Sequence, residues 1–236
     1  MVRTDLPVLA VVVPARDEQR LLPACLAALH AAIRHVGGVE VDLTVVADAC
    51  SDRTAEIAAR AGAHVLETDG ANVGAARALG CAAALERHAA RSDRLWLATT
   101  DADSLVPTGW LDAQLRSATA GLDLRVGTVT LAPADRHRHR LWVERYEAHA
   151  ETGRHGHVHG ANLGTAASTY VALGGFRPLT HGEDHDLVLR AQRSGARIDW
   201  SIDHPVQTSA RHVARAPRGV ARDLVESIGR EADDVA

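Results

Sequence analysis

The chain has 236 residues, enough for one large α/β domain or two small ones with a proper core. Its 46% hydrophobic and 24% charged residues are the proportions of a soluble globular protein, and a net charge of −4 argues against a general nucleic-acid binder, whose footprint is basic. No stretch approaches about 18 consecutive apolar residues, so no integral membrane segment is expected.

Val8 to Val13 is a continuous apolar, β-branched run closed by Pro14, the pattern of a buried parallel strand. Leu21 to Val36 reads as an amphipathic helix stopped by Gly37-Gly38. Leu43 to Ala47 is the second strand. Ser51 or Asp52 then caps a helix that carries Ile57 and Ala58 and stops near Gly62. Ala63 to Leu66 is a short third strand and Val73 to His88 a third helix, followed by strand Leu95 to Ala98 and helix Thr108 to Ala120. The second half is less regular. Arg125 to Leu131 reads as a strand, Arg138 to Glu151 as a helix, and Gly153 to Gly164 as a His- and Gly-rich loop. Helices over Ala167 to Leu173 and Asp184 to Ser194, a strand over Arg197 to Ile202 and a last helix over Val220 to Glu231 complete the chain.

The alternation of strands and helices predicts an α/β fold, a mostly parallel sheet with helices on both faces. No repeat, low-complexity tract or linker divides it, so 1–236 reads as a single domain. Ligands of such sheets lie beyond the carboxyl ends of the strands. Arg16-Asp17-Glu18, Asp48 to Asp52 and Asp101 to Asp103 all fall there. Asp101-Ala-Asp103 is the most informative of them. Two carboxylates one residue apart at a strand tip form an oxygen-rich claw suited to a hard cation such as Mg²⁺ or Mn²⁺.

All 26 basic residues are Arg, which suits bidentate recognition of phosphate and carboxylate. Cys25, Cys50 and Cys81 are odd in number, lack C-x-x-C spacing and read as reduced thiols. Met1-Val-Arg-Thr-Asp5 is not a signal peptide, and the expected compartment is cytoplasmic.

Other segments carry two readings each. Asp48 is either a turn residue or an acceptor of hydrogen bonds from a base or ribose. Arg77, one turn into its helix, is either solvated or a partner of phosphate or base oxygens. In Gly182-Glu-Asp-His-Asp-Leu187 the acids are either first-turn residues favoured by the helix dipole or a site for a general base. The alternating His155, His157 and His159, and His137 and His139, are either solvated or the ligands of a zinc hydrolase. Arg211-His212, Arg215, Arg218 and Arg222 form a late basic cluster that either closes over a diphosphate or is a charged helix entry.

Seven motifs in order resemble family 2 nucleotide-sugar glycosyltransferases of the GT-A fold. They are Val12-Val-Pro-Ala-Arg-Asp-Glu18, Val46-Ala-Asp-Ala-Cys-Ser-Asp-Arg-Thr54, Asn72-Val-Gly-Ala-Ala-Arg77, Thr100-Asp-Ala-Asp103, His159-Gly-Ala-Asn162, Gly174-Gly-Phe176 and Gly182 to Leu187. The resemblance spans roughly residues 8 to 215 and implies a single GT-A-type domain with a Rossmann-like sheet. Its nucleotide-binding half would be about 1–105 and its acceptor and catalytic half about 106–236.

By that resemblance Pro14, Ala15, Glu18 and Asp48 hold the nucleoside, with Arg77 nearby. Asp101 approaches the ribose and metal, Asp103 ligates Mg²⁺ or Mn²⁺, and His212 matches a late metal-ligating histidine of some relatives. Asp184 is the matched catalytic base, while Gly160, Ala161, Asn162 and Glu183 line the donor and acceptor pocket. The implied activity is metal-dependent, inverting transfer of one sugar from a nucleoside-diphosphate donor, UDP-linked by default, to a small or lipid-linked acceptor. Two departures stand out. Ala47-Asp48-Ala49-Cys50 keeps one acid where the family often has Asp-Asp-Gly-Ser, and the Gln-x-x-Arg-Trp element of processive synthases is absent. The alternatives are a non-catalytic nucleotide-sugar binding protein, which would be expected to lose Asp103 and Asp184, and a sugar-nucleotide pyrophosphorylase, which would start on a Gly-rich loop with Arg and Lys.

Overall fold

The computed structural model describes residues 7–150, 155–179 and 181–210. The expected helix over Val220 to Glu231 and the late basic cluster, His212 included, lie outside them.

Within the described residues one seven-stranded sheet organises the fold, in the order β3-β2-β1-β4-β6-β5-β7. Strands β1 (Val8–Ala15), β2 (Val41–Asp48), β3 (His64–Thr68) and β4 (Leu95–Thr99) are mutually parallel, as their crossover helices require. The residues of β1 are buried on both sides and alternate between two cores. Leu9, Val11 and Val13 face helices α1 (Leu22–Val36), α2 (Thr54–Arg60) and α4 (Trp110–Thr119). Val8, Ala10 and Val12 face α3 (Val73–Arg87), α7 (Ala167–Ala172) and α8 (Glu183–Arg193). The chain therefore has the expected helices on both faces.

The second half departs from the sequence expectation in three places. Residues Leu163–Ala166, the first two of them expected in the loop ending at Gly164, form β6, which lies antiparallel between β4 and β5 (Leu124–Leu131). Nothing in Leu-Gly-Thr-Ala alternates. Two flanking strands supply its hydrogen bonds, and Gly164 makes room for Gln114, whose Oε1 would lie 2.0 Å from an added Cβ. The expected helix Arg138 to Glu151 is α6 (Arg140–Ala150), but a further helix that the sequence did not announce, α5 (Pro133–Arg138), precedes it, the two separated at His139, whose φ of −114° leaves the helical region. Pro133 starts the first of them, because its fixed φ suits a first turn that needs no N–H.

Strand β7 (Ile198–Thr208) runs six residues further than the expected Ile202 and pairs parallel with β5, with a register shift between Gly127 and Val129. His204 sits there at φ +57°. The bulge and Pro205 roughen an edge strand that would otherwise offer open pairing groups. Among the described residues no helix is long and apolar enough to cross a membrane.

Candidate active site

The connection from β1 through β2 and β3 runs to one side, and β4 then returns to pair on the other side of β1. This reversal opens a crevice at the carboxyl ends of β1 and β4. Pro14 and Ala15 close β1 and are buried, and Asp48 closes β2 with 4% of its surface exposed. Both Asp48 oxygens accept backbone N–H groups, from Ala71 and Asn72, each at 2.7 Å. The side chain thereby shapes the loop into α3, where Asn72 caps the helix by accepting the Ala75 N–H at 2.9 Å.

The segment after β1 is zipped to the segment after β2. The Glu18 N–H donates to Thr54 Oγ1 at 2.8 Å, Gln19 N–H to Asp52 Oδ2 at 3.0 Å, and Ser51 N–H to Asp17 Oδ1 at 2.7 Å. Asp17 and Ala49 take the left-handed conformation, φ +49° and +50°, to make these turns. A cleft of about 460 Å³ lies against Asp17 to Leu21, Ser51 and Asp52. The Glu18 carboxylate itself is buried.

Two residues past β4, Asp101 and Asp103 flank buried Ala102 in a turn closed by the Ser104 N–H on the Asp101 carbonyl at 3.1 Å. Cys25 of α1 lies beneath and its thiol donates to the Asp101 carbonyl at 3.4 Å. Burial, together with the charges of Asp101, Asp103 and Glu18, pushes this thiol up to about 12. The charges of three sequence-selected carboxylates thus reach one buried thiol. Their oxygens are the donor set a hard divalent cation prefers, and Asp101 and Asp103 fit such an ion.

Arg77 is neither solvated nor open to a phosphate. It is 4% exposed, and its guanidinium contacts Asp101 Oδ1 at 2.5 Å through one nitrogen and Glu183 through the other. Burial opposes its charge, but Asp101, Glu183 and Asp184 more than offset that and raise its pKa. Phe176 lies 6.0 Å from the guanidinium carbon. Glu183, expected to line a pocket, is 4% exposed and faces Arg77; burial pushes its carboxyl up against the pull of the guanidinium. The first turn of α3 comes close because Gly74 has no side chain: a Cβ there would meet the Arg177 carbonyl at 2.3 Å and Glu183 Cβ at 3.1 Å.

Asp184, next on α8, is only partly buried. Its Oδ2 accepts the Gly160 N–H at 2.8 Å and its Oδ1 the His185 N–H at 2.8 Å. Gly160 is in turn anchored by Thr99 Oγ1, at the end of β4, which donates to its carbonyl at 2.6 Å. Ala161 is buried against Val129 and Tyr146. Asn162 turns inward instead of toward a cleft. Its Oδ1 accepts the Trp110 indole N–H at 2.9 Å, and its Nδ2 donates to the Thr128 carbonyl at 2.8 Å and the His204 carbonyl at 3.3 Å. Thr99 and Trp110 carry no chemical signal in the sequence, where a lone Thr or Trp is unremarkable, and Cys25 reads there only as a reduced thiol.

The alternating histidines stack instead of converging. His155 and His157 rings are 5.9 Å apart at 18°, and His157 and His159 6.3 Å apart at 17°. Among the described residues the group of possible metal ligands drawn together within 4.8 Å is Asp17, Cys50 and Asp52, which contains no histidine. The zinc-hydrolase alternative has no geometric support there.

The glycosyl transferase family 2 profile matches residues 10–167, which take in both β1 and the Gly160 segment. None of the curated proteins matches this sequence. Solved structures share the fold. A Staphylococcus aureus TarS fragment (residues 1–349) in complex with UDP-GlcNAc is 14% identical, with TM-score 0.64 over 94% of this chain and 66% of that one. The mannosyltransferase PcManGT of Pyrobaculum calidifontis, in complex with GDP-Man and Mn²⁺, is 20% identical, with TM-score 0.66 over 98% of this chain and 65% of that one. Glucosyl-3-phosphoglycerate synthase of Mycobacterium tuberculosis, with Mn²⁺, UDP and glucosyl-3-phosphoglycerate, is 15% identical, with TM-score 0.56 over 94% of this chain and 78% of that one. The chain spans just under two thirds of the length of the first two.

Proposed function

Since the chain belongs to glycosyl transferase family 2, matched over residues 10–167, we propose that it moves one sugar from a nucleoside-diphosphate donor to an acceptor hydroxyl with inversion at the anomeric carbon. The observation that carries this reading is the approach of two acid sites from opposite halves of the chain. Asp101 and Glu183, 82 residues apart, meet on one buried Arg77, and Asp184 stands beside them on the Gly160 N–H.

In this reading the nucleoside lies over Pro14, Ala15, Glu18 and Asp48, with UDP the default. Asp101 and Asp103 would hold Mg²⁺ or Mn²⁺, with His212, which lies outside the described residues, as the further proposed ligand. A divalent cation there supplies positive charge to the diphosphate leaving group. Asp184 removes the acceptor hydroxyl proton as that oxygen attacks the anomeric carbon, and the bond from that carbon to the diphosphate oxygen breaks on the far side. Arg77 holds the acid turn and the base helix at a constant separation, which in-line displacement demands. Asn162 and Trp110 fix the strand ends beneath. The acceptor is small or lipid-linked, and the expected compartment is cytoplasmic.

Calorimetric titration of the full chain with UDP and with GDP, each with and without Mn²⁺, tests the reading. Metal-dependent binding of one nucleotide supports it and identifies the base. Absence of binding to both in the presence of Mn²⁺ sinks it.

A further inference from the structure

The turn that carries Asp103 is fastened from the side by the last residues of β7. Leu105 and Gln207 exchange backbone hydrogen bonds, the Leu105 N–H on the Gln207 carbonyl at 2.7 Å and the Gln207 N–H on the Leu105 carbonyl at 3.0 Å. Gln207 and Thr208 also stand in register with Thr130 and Leu131 of β5, so this strand end is held from two sides. Val106 and Val206, next to the bridged residues, are buried in one core.

Ser104 lies at the centre of this fastening and is fully buried. Its Oγ is 3.1 Å from Thr208 Oγ1 and 3.5 Å from Asp103 Oδ1. A carboxylate oxygen accepts, and a serine hydroxyl has one proton to give. The polarity that engages all three groups therefore has Thr208 donating to Ser104 and Ser104 donating to Asp103. Each donation polarises the next hydroxyl, so the far end of the chain is felt at the carboxylate. A buried serine needs a partner in any fold, and Thr208 alone would satisfy it. What points beyond packing is that the same hydroxyl also reaches the carboxylate of Asp103, which is itself partly exposed.

A carboxylate that ligates a divalent ion depends on hydrogen bonds from outside the ligand set to hold its orientation. Asp103 receives that support from a residue 104 positions beyond Ser104, on the strand that bridges its own turn. We infer that Ser104 and Thr208 are positioning residues, a pair of hydroxyls that orients the Asp103 carboxylate toward Mg²⁺ or Mn²⁺. This rests on the glycosyltransferase reading and adds to it the groups that set the metal affinity.

The test is calorimetric titration of the full chain with UDP or GDP, whichever the wild type binds, with and without Mn²⁺. Thr208→Val and, separately, Ser104→Ala should lower the enhancement of nucleotide affinity by Mn²⁺ about tenfold, the low end of the range for groups that orient metal ligands. Affinity without Mn²⁺ should be unchanged. Thr208→Ser, which keeps the hydroxyl, should keep the wild-type enhancement. In an Asp103→Ala background Thr208→Val should change nothing further, because the group it orients is gone. Urea denaturation checks that each variant is folded. Thr208 is partly exposed and valine matches its shape, so Thr208→Val decides if the buried Ser104→Ala does not fold.

A wild-type Mn²⁺ enhancement in Thr208→Val overturns the inference, as does a Thr208→Ser no better than Thr208→Val. Equal weakening with and without Mn²⁺ overturns it too, since that is a loss of packing. A further effect of Thr208→Val in the Asp103→Ala background has the same consequence. A wild type that binds nucleotide equally with and without Mn²⁺ overturns the inference and leaves the nucleotide site standing. A wild type that binds neither nucleotide overturns the glycosyltransferase reading as well.

Discussion

A Cβ added to Gly160 would lie 2.4 Å from the guanidinium carbon of Arg77. The absence of a side chain at residue 160 is thus a condition for the ion pairs at residue 77. Gly160 does two further things with its backbone, donating its N–H to Asp184 and accepting from Thr99. One glycine therefore links the end of β4, the buried arginine and the proposed base.

Gly160→Ala should displace the guanidinium and cost about 1–3 kcal/mol, the usual range for overpacking. Urea denaturation measures the loss. Nucleotide binding should weaken with it, because Asp101 shares the displaced group.

Arg77→Ala should cost more, about 3–5 kcal/mol, since it leaves Glu183 buried without its counter-charge. The double variant Arg77→Ala with Glu183→Gln should recover part of that loss. Chemical denaturation of the single and double variants gives the coupling directly, and additive losses would refute it.

Asp184→Asn should retain UDP and Mn²⁺ binding while donor turnover falls by about 10²–10⁴-fold, the range for loss of a general base. Near-wild-type turnover would remove Asp184 from the role. Asp103→Ala should instead abolish the Mn²⁺ dependence of UDP binding, read by the same calorimetric titration.

Stability should depend on pH through the histidine ladder. An unfolded imidazole takes up its proton below about pH 6.5, whereas folded His159 does so only near 4. Between these values the unfolded chain binds more protons, so stability rises with pH and is lost as pH falls. On the order of 2 kcal/mol should disappear between pH 7 and 5 from His159 alone. His155 and His157 shift in the same direction and add to it. His159→Phe, which keeps the stack, should flatten the slope of denaturation midpoint against pH; an unchanged slope would reject the assignment.

Asn162→Ala should destabilise the fold by at least about 2 kcal/mol, because the Trp110 N–H and the Thr128 carbonyl lose their partner in a dry interior. Thermal unfolding followed by circular dichroism reads this, and a loss within about 0.5 kcal/mol, the range of ordinary surface substitutions, would exclude the clamp.

The parallel half of the sheet was legible in the sequence because its signals are local. Apolar runs such as Val8 to Val13, stops such as Gly37-Gly38 and acids just past each run declare strands, helix ends and a crevice without reference to the rest of the chain. The acids Asp48, Asp101, Asp103 and Asp184 stand out in the same way, since carboxylates at element ends are conspicuous wherever the chain leads them.

Tertiary structure decided the rest, for one physical reason: the deciding contacts join residues far apart in the chain. Arg77 finds Glu183 across 106 residues, and Asn162 finds Trp110 across 52. Leu163–Ala166 becomes a strand only because β4 and β5 leave a gap of strand width between them. A buried arginine, a short strand without alternation and three stacked imidazoles have no signature in neighbouring residues. Their roles are set by which groups the fold brings against them and by how completely it removes water.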